Sequence, residues 1–120
     1  MAISTLTVEL DRTRILRFDL AGLSLLQRRL GEKGLLPILA RIDNMDVEAI
    51  QTAYLVGLGG EDPKLTLEKV QRFLQARVDA GELLATLGRT VGRAIAMGAG
   101  FSETAPEEDG EGKAATASPT

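Results

Sequence analysis

The sequence predicts an α+β fold in which an N-terminal β-hairpin packs on a bundle of four to five helices. Apolar and polar residues alternate at the N-terminus, and apolar residues then recur at helical spacing as far as residue 97. The chain has 120 residues, of which 44% are hydrophobic, and this suffices for a single core. We therefore expect one domain over residues 1–101 and a disordered tail over residues 102–120.

The hairpin is the first predicted element. The alternating apolar residues of its two strands are Leu6, Val8 and Leu10, and then Leu16, Phe18 and Leu20. A turn at residues 11–13 separates them, and the alternation is typical of half-buried strands. A hairpin alone is marginally stable in water, so we expect it to lie on helices or to pair with another subunit.

Two helices are predicted next. Asp19 is placed to cap a helix over about residues 20–30, and Gly31 ends it. Pro37 suits the first turn of a short helix over about residues 36–42.

Residues 46–73 predict a central pair of helices joined by a loop. Asp46 caps the first helix, which ends at Gly59 and Gly60, where a positive φ can close a helix and after which Pro63 cannot continue it. Thr66 is a good N-cap for the second helix. The predicted core residues of the pair are Val47, Ile50, Tyr54, Leu58, Leu67, Val70, Phe73 and Leu74.

A last helix is predicted over about residues 82–97, after a break at residues 79–81. Gly88 and Gly92 lie four residues apart on it and would let a neighbouring helix approach closely. We predict a partner-binding surface at Gly88, Arg89, Gly92 and Ile95, together with the unpaired edge of the hairpin.

The composition restricts the available chemistry. The chain has no Cys and no His, so thiolate chemistry and the commonest general base and metal ligand are missing. Residues 57–60 are glycine-rich but lack the Lys of a P-loop. Asp46, Glu48, Glu61 and Asp62 could suggest a metal site, but such groups are more often caps and solvated charges. We expect no catalytic residue, cofactor or metal, and therefore not an enzyme.

The charge is unevenly distributed. The net charge is −3, yet residues 102–120 hold five acids and one Lys, which leaves residues 1–101 at +1. A nearly neutral body argues against DNA binding driven by electrostatics. A helix-turn-helix over residues 47–77 is a further alternative, but its turn would span seven residues instead of three to four. We find no signal peptide and no apolar run long enough to span a membrane.

Residues 53–70 carry a family resemblance. Their sequence, A-Y-L-V-G-L-G-G-E-D-P-K-L-T-L-E-K-V, resembles the central segment of the tail assembly chaperones of long-tailed bacteriophages and gene transfer agents. Residues 20–31 share a weaker likeness, and the resemblance covers roughly residues 6–95. The chain departs from the pattern at Tyr54, near which relatives often carry Trp, and this puts only fine packing in doubt.

The resemblance implies a non-enzymatic chaperone of phage or prophage tail assembly in the host cytoplasm. Such a protein binds the tape measure protein, helps to recruit tail tube subunits, and is absent from the finished particle. A tape measure protein is long, largely helical and apolar, so an aliphatic surface can cover it by laying a helix in a groove. Self-association is a further expectation, whereas nucleic acid and membrane partners are not expected. The alternatives are a structural virion component, such as a tail completion or head–tail connector subunit, and a small DNA-binding regulator.

The resemblance also implies a second, longer product. Members of this family are often made in two lengths by a ribosomal frameshift near the end of the shorter frame. Glu111, Gly112 and Lys113 permit codons that form a slippery heptamer, although the same residues are also ordinary in an acidic tail. The codons of the gene decide between these two interpretations.

Overall fold

The computed structural model describes residues 5–101 and confirms the predicted α+β architecture. An antiparallel hairpin packs on five helices. The elements are β1 (Thr5–Glu9), β2 (Thr13–Arg17), α1 (Leu20–Leu30), α2 (Leu35–Asp43), α3 (Val47–Gly59), α4 (Leu67–Asp79) and α5 (Leu84–Gly98). The predicted disordered tail and the frameshift site at Glu111, Gly112 and Lys113 lie outside the described residues.

The hairpin presents one apolar face to the helices. Thr5 pairs with Arg17 and Glu9 with Thr13, so Val8 and Leu16 share the buried face. Phe18 follows β2 and is also buried. Leu20 does not continue the strand pattern as predicted, because it is the first residue of α1 and is exposed to solvent.

The predicted N-caps are confirmed. Asp19 accepts a hydrogen bond from the Gly22 amide at 2.7 Å, Asp46 from Ala49 at 3.1 Å, and Thr66 from Lys69 at 3.2 Å. Each bond satisfies a backbone donor that the first turn of a helix leaves free. Local side-chain chemistry therefore sets where α1, α3 and α4 begin.

The helix ends are only partly as predicted. Gly31 closes α1 with φ of +69°, as its position suggested. The predicted use of a positive φ at Gly59 and Gly60 is wrong, because Gly60 has a right-handed φ of −65°. The amides of Glu61 and Asp62 instead donate to the Leu58 carbonyl, which continues the chain as a turn.

Helix α3 is the centre of the fold, and Tyr54 is its largest fully buried side chain. The Tyr54 hydroxyl donates a hydrogen bond to the Leu87 carbonyl at 2.8 Å. Burial raises the Tyr54 pKa well above its ordinary value, with a smaller contribution from the charge of Glu82, so the phenol stays protonated.

Gly57 allows the hairpin to lie directly on α3. A Cβ at this position would come within 2.8 Å of both Leu16 Cδ2 and Phe18 Cζ. Since real Cβ atoms do not approach other atoms so closely, a larger residue would require the Leu16 and Phe18 side chains to move or the hairpin to shift.

Most of the predicted core of the central helix pair is confirmed. The buried members are Ile50, Tyr54, Leu58, Val70 and Leu74, and Phe73 is half-buried. The prediction is wrong for Val47 and Leu67, which are 47% and 41% exposed. Each is the first residue of its helix, where helical periodicity alone does not decide whether a neighbouring element covers the side chain. Among residues 5–101, no helix has the length and hydropathy needed to cross a bilayer.

Candidate binding groove

An open groove with a volume of about 810 Å³ lies between the hairpin, α1 and the C-terminal half of α3. Strand β2 and helix α1 form its two walls, and α3 forms its floor. The remaining lining residues come from the α3–α4 loop, from Thr5 on β1 and from Asp19 between β2 and α1. Its lining residues are Thr5, Ile15, Arg17, Asp19, Ala21, Gly22, Leu25, Arg29, Leu55, Val56, Gly59, Gly60, Glu61, Pro63 and Leu65. The larger part of this set comes from residues 20–31 and 53–70.

The floor of the groove exists because α3 is apolar on nearly every side. Beyond the face that packs on α5, Leu55 and Val56 form a second apolar surface. Val56 is in contact range of α1, since a Cβ on Gly22 would lie 3.7 Å from Val56 Cγ1. Leu55 remains half-buried, and a Cβ on Gly59 or Gly60 would meet no neighbouring atom within 4 Å. The groove therefore stays open at this end of α3.

Four charged side chains line the groove. Asp19 and Glu61 each accept a hydrogen bond from a backbone amide, that of Gly22 at 2.7 Å and that of Ile15 at 3.4 Å. Arg17 and Arg29 are exposed, and within residues 5–101 neither forms an ion pair. The charges of the groove that lack partners within the described chain are therefore positive.

Arg14 fixes the loop that borders the groove. Its guanidinium is buried, binds Asp11 through two hydrogen bonds of 2.6 and 2.9 Å, and reaches Asp62 in the α3–α4 loop at 3.3 Å. It also lies over the ring of Phe73, 4.8 Å from the ring centroid. The hydrogen bond from Arg14 holds the pKa of Asp11 below its usual value. This cluster ties the hairpin turn to the loop and to α4.

The predicted partner-binding surface on α5 is wrong for two of its four residues. Ile95 is fully buried, and Gly88 is buried against α2 and α3. A Cβ on Gly88 would lie 3.3 Å from Ile50 Cδ1 and 3.4 Å from Ile42 Cγ2. The small residues of α5 therefore allow close packing within the chain.

The other two predicted residues of this surface differ from each other. Gly92 is half-buried. A Cβ added to it would lie 4.0 Å from the side chains of Ile42 and Leu39, both on α2. Only Arg89 is exposed, and it donates a hydrogen bond to Thr86 on its own helix. The structure does not bring any of the four residues to the groove.

Three of the four carboxylates considered as metal ligands serve as caps or ion-pair partners. Asp46 caps α3 and binds Arg41 at 2.8 Å, and this hydrogen bond holds the Asp46 pKa below its ordinary value. Glu48 lies 3.6 Å from the same Arg41, and Asp62 binds Arg14. Across residues 5–101, no group of three or more acidic, His or Cys side chains is arranged to hold a metal ion.

Sequence reasoning missed the residues that form the apolar surface of the groove: Ile15, Leu25, Leu55, Val56 and Leu65. One signal was present, because residues 55–59 contain no polar side chain and therefore leave α3 with an apolar side beyond the predicted core face. The placement of β2 and α1 on either side of α3 could not be predicted, since it depends on packing between segments that are far apart in the sequence. Comparison of the chain with protein-family models, with curated proteins and with solved structures finds no match.

Proposed function

We propose that the protein is a tail assembly chaperone whose groove binds an apolar segment of the tape measure protein. One observation carries the proposal: the two segments that resemble this family, residues 20–31 and 53–70, supply most of the lining of a single open groove.

The chemistry of the groove suits such a client. Leu25, Leu55 and Leu65 are half-buried apolar side chains that a partner can cover, and covering them removes apolar area from water. A long apolar chain that awaits assembly is prone to aggregate through surfaces of this kind. Binding in the groove would keep the client soluble while tail tube subunits are recruited, after which the chaperone leaves.

Co-expression with the tape measure protein of the same locus tests the proposal. Leu25→Asp and Leu55→Asp place a charge on the apolar surface of the groove, so each should markedly reduce the amount of soluble, co-purifying tape measure protein. Leu36→Asp is the matched control, because Leu36 is an exposed Leu on α2 outside the groove. Circular dichroism melts should show that all three variants fold.

Three results would count against the proposal. Retention of the tape measure protein by both groove variants would show that the groove is not the client site. Detection of the protein in purified particles at a stoichiometric level would instead favour a structural virion component. A salt-dependent gel shift with duplex DNA would favour the other alternative, a DNA-binding regulator.

A further inference from the structure

The free edge of β2 adds backbone hydrogen-bonding groups to the groove. In an antiparallel pair, the backbone N–H and C=O groups of alternate residues bond to the partner strand. The backbone groups of the residues between them point away from that strand. The Ile15 amide donates to Glu61 Oε1, so Ile15 points away from β1, and Arg17, two residues further on, points the same way. Within residues 5–101, no backbone bond outside the hairpin engages the Ile15 carbonyl or the Arg17 amide and carbonyl.

Within the described part of the chain, one contact protects this edge, and it is weak. The distance from Ile15 N to Glu61 Oε1 is 3.4 Å, at the long limit for a hydrogen bond of this type. Glu61 is exposed, so its carboxylate can return to water when another acceptor approaches the Ile15 amide. An incoming strand would therefore lose little by displacing it.

Resting on the proposed function, we infer that the client segment binds in an extended conformation and adds to β2 as a third strand between β2 and α1. Its backbone pairs with the outward groups of Ile15 and Arg17. Its alternate apolar side chains lie on Leu25 and Leu55. A carboxylate on the segment satisfies the unpaired charge of Arg17 and Arg29.

A helical segment fits this groove less well. A helix bonds its own backbone internally, so a helix lying in the groove would cover the β2 edge without pairing it. Each buried backbone group left without a partner is destabilising, because it loses its hydrogen bonds to water and gains none in return. A strand satisfies the same groups and contributes hydrogen bonds on the side where the hairpin is incomplete.

A short synthetic peptide of defined chemistry tests this inference on the full-length protein. The probe is an acetylated and amidated T-V-E-V-T-V-T, in which apolar residues alternate with polar ones and one carboxylate is present. Titration followed by NMR should slow the hydrogen exchange of the Ile15 and Arg17 amides by at least about tenfold at saturation. The amides of Arg14 and Leu16, which face β1, should be unaffected.

Matched peptides and protein variants separate the contribution of backbone pairing from that of the charged side chains. A peptide with N-methyl groups on alternate residues cannot form one of its two strand edges, so one of the two N-methylation patterns should abolish binding. Glu→Gln in the peptide, or Arg17→Gln with Arg29→Gln in the protein, should weaken binding by about two- to fivefold, as expected for exposed ion pairs. Arg89→Gln on α5 is the control and should leave binding unchanged.

Three results would overturn the inference: no binding at peptide concentrations up to about 1 mM, binding without protection of the Ile15 and Arg17 amides, or a helical bound peptide by transferred NOE. The proposed function fails separately. If the protein binds the peptide as a strand but does not retain the tape measure protein, the strand-binding inference holds and the proposed client is wrong.

Discussion

The side of α5 that carries Gly88 and Gly92 and the groove beside α3 are both apolar surfaces, but the chain covers only the first. Gly88 faces Ile42 and Ile50 so closely that a Cβ would touch both, which shows that α2 and α3 close over it. Leu25 and Leu55 in the groove remain half-buried, with no element of the described chain over them.

The difference shows why a pattern of small residues is a poor guide to partners. Glycines at a four-residue spacing allow any helix to approach, and a helix of the same chain is present at a much higher effective concentration than a partner. Large side chains that stay half-exposed on a rigid support are the better signal, because burying them remains favourable. The following predictions test the contrast, from the largest expected effect to the smallest.

Tyr54→Ala should reduce the free energy of unfolding by about 3–5 kcal/mol, because it removes a fully buried ring and a buried hydrogen bond. Leu55→Ala, one residue further on and facing the groove, should cost only about 1 kcal/mol. Urea denaturation of the two variants measures the difference. Equal losses would mean that the groove side of α3 is as tightly packed as its core side.

Gly98→Ala should be destabilising by about 1–3 kcal/mol, although Ala is the better helix former. A Cβ at Gly98 would collide with the Phe18 carbonyl, a backbone atom that cannot move aside without shifting the junction of β2 and α1. Gly59→Ala is the control, since its Cβ would meet no atom within 4 Å at the groove. A melting temperature of Gly98→Ala equal to or above that of the parent would contradict the close approach of α5 to this junction.

Acid should weaken the ion pairs that Arg14 forms with Asp11 and Arg41 forms with Asp46. The folded-state pKa of Asp11 and that of Asp46 lie below the ordinary 3.8 because Arg14 and Arg41 donate hydrogen bonds to them. Their stabilisation is therefore complete above about pH 4 and is lost as the pH falls through the lowered values. In urea titrations at several pH values, Asp11→Asn should be less stable than the parent at pH 7 and should converge with it in acid. A constant difference at all pH values would show that this carboxylate is not linked to folding.

Gly92→Ala should have the smallest effect, and it should stabilise the protein. We expect the free energy of unfolding to rise by up to about 1 kcal/mol. Its Cβ would make ordinary contacts at 4.0 Å with Ile42 and Leu39 and would fill space at the α2 interface. The molecular mass in solution should not change. A loss of self-association on this substitution would restore the α5 surface as an interface between copies.

The sequence by itself determined the features that depend on near neighbours along the chain. The hairpin, the caps at Asp19, Asp46 and Thr66, and the left-handed glycine at Gly31 follow from side-chain hydrogen bonds and backbone sterics within a few residues. Most of the buried positions of α3 and α4 also follow, because helical periodicity places them on one face.

Only the tertiary structure decided which apolar faces are covered. It placed Gly57 against Leu16 and Phe18, buried Gly88 and Ile95 inside the chain, and left Val47 and Leu67 at the surface. It also brought β2, α1 and the end of α3 around one groove. Periodicity shows that a face is apolar, but the element that packs on it is set by contacts between segments far apart in sequence, which carry no local signature.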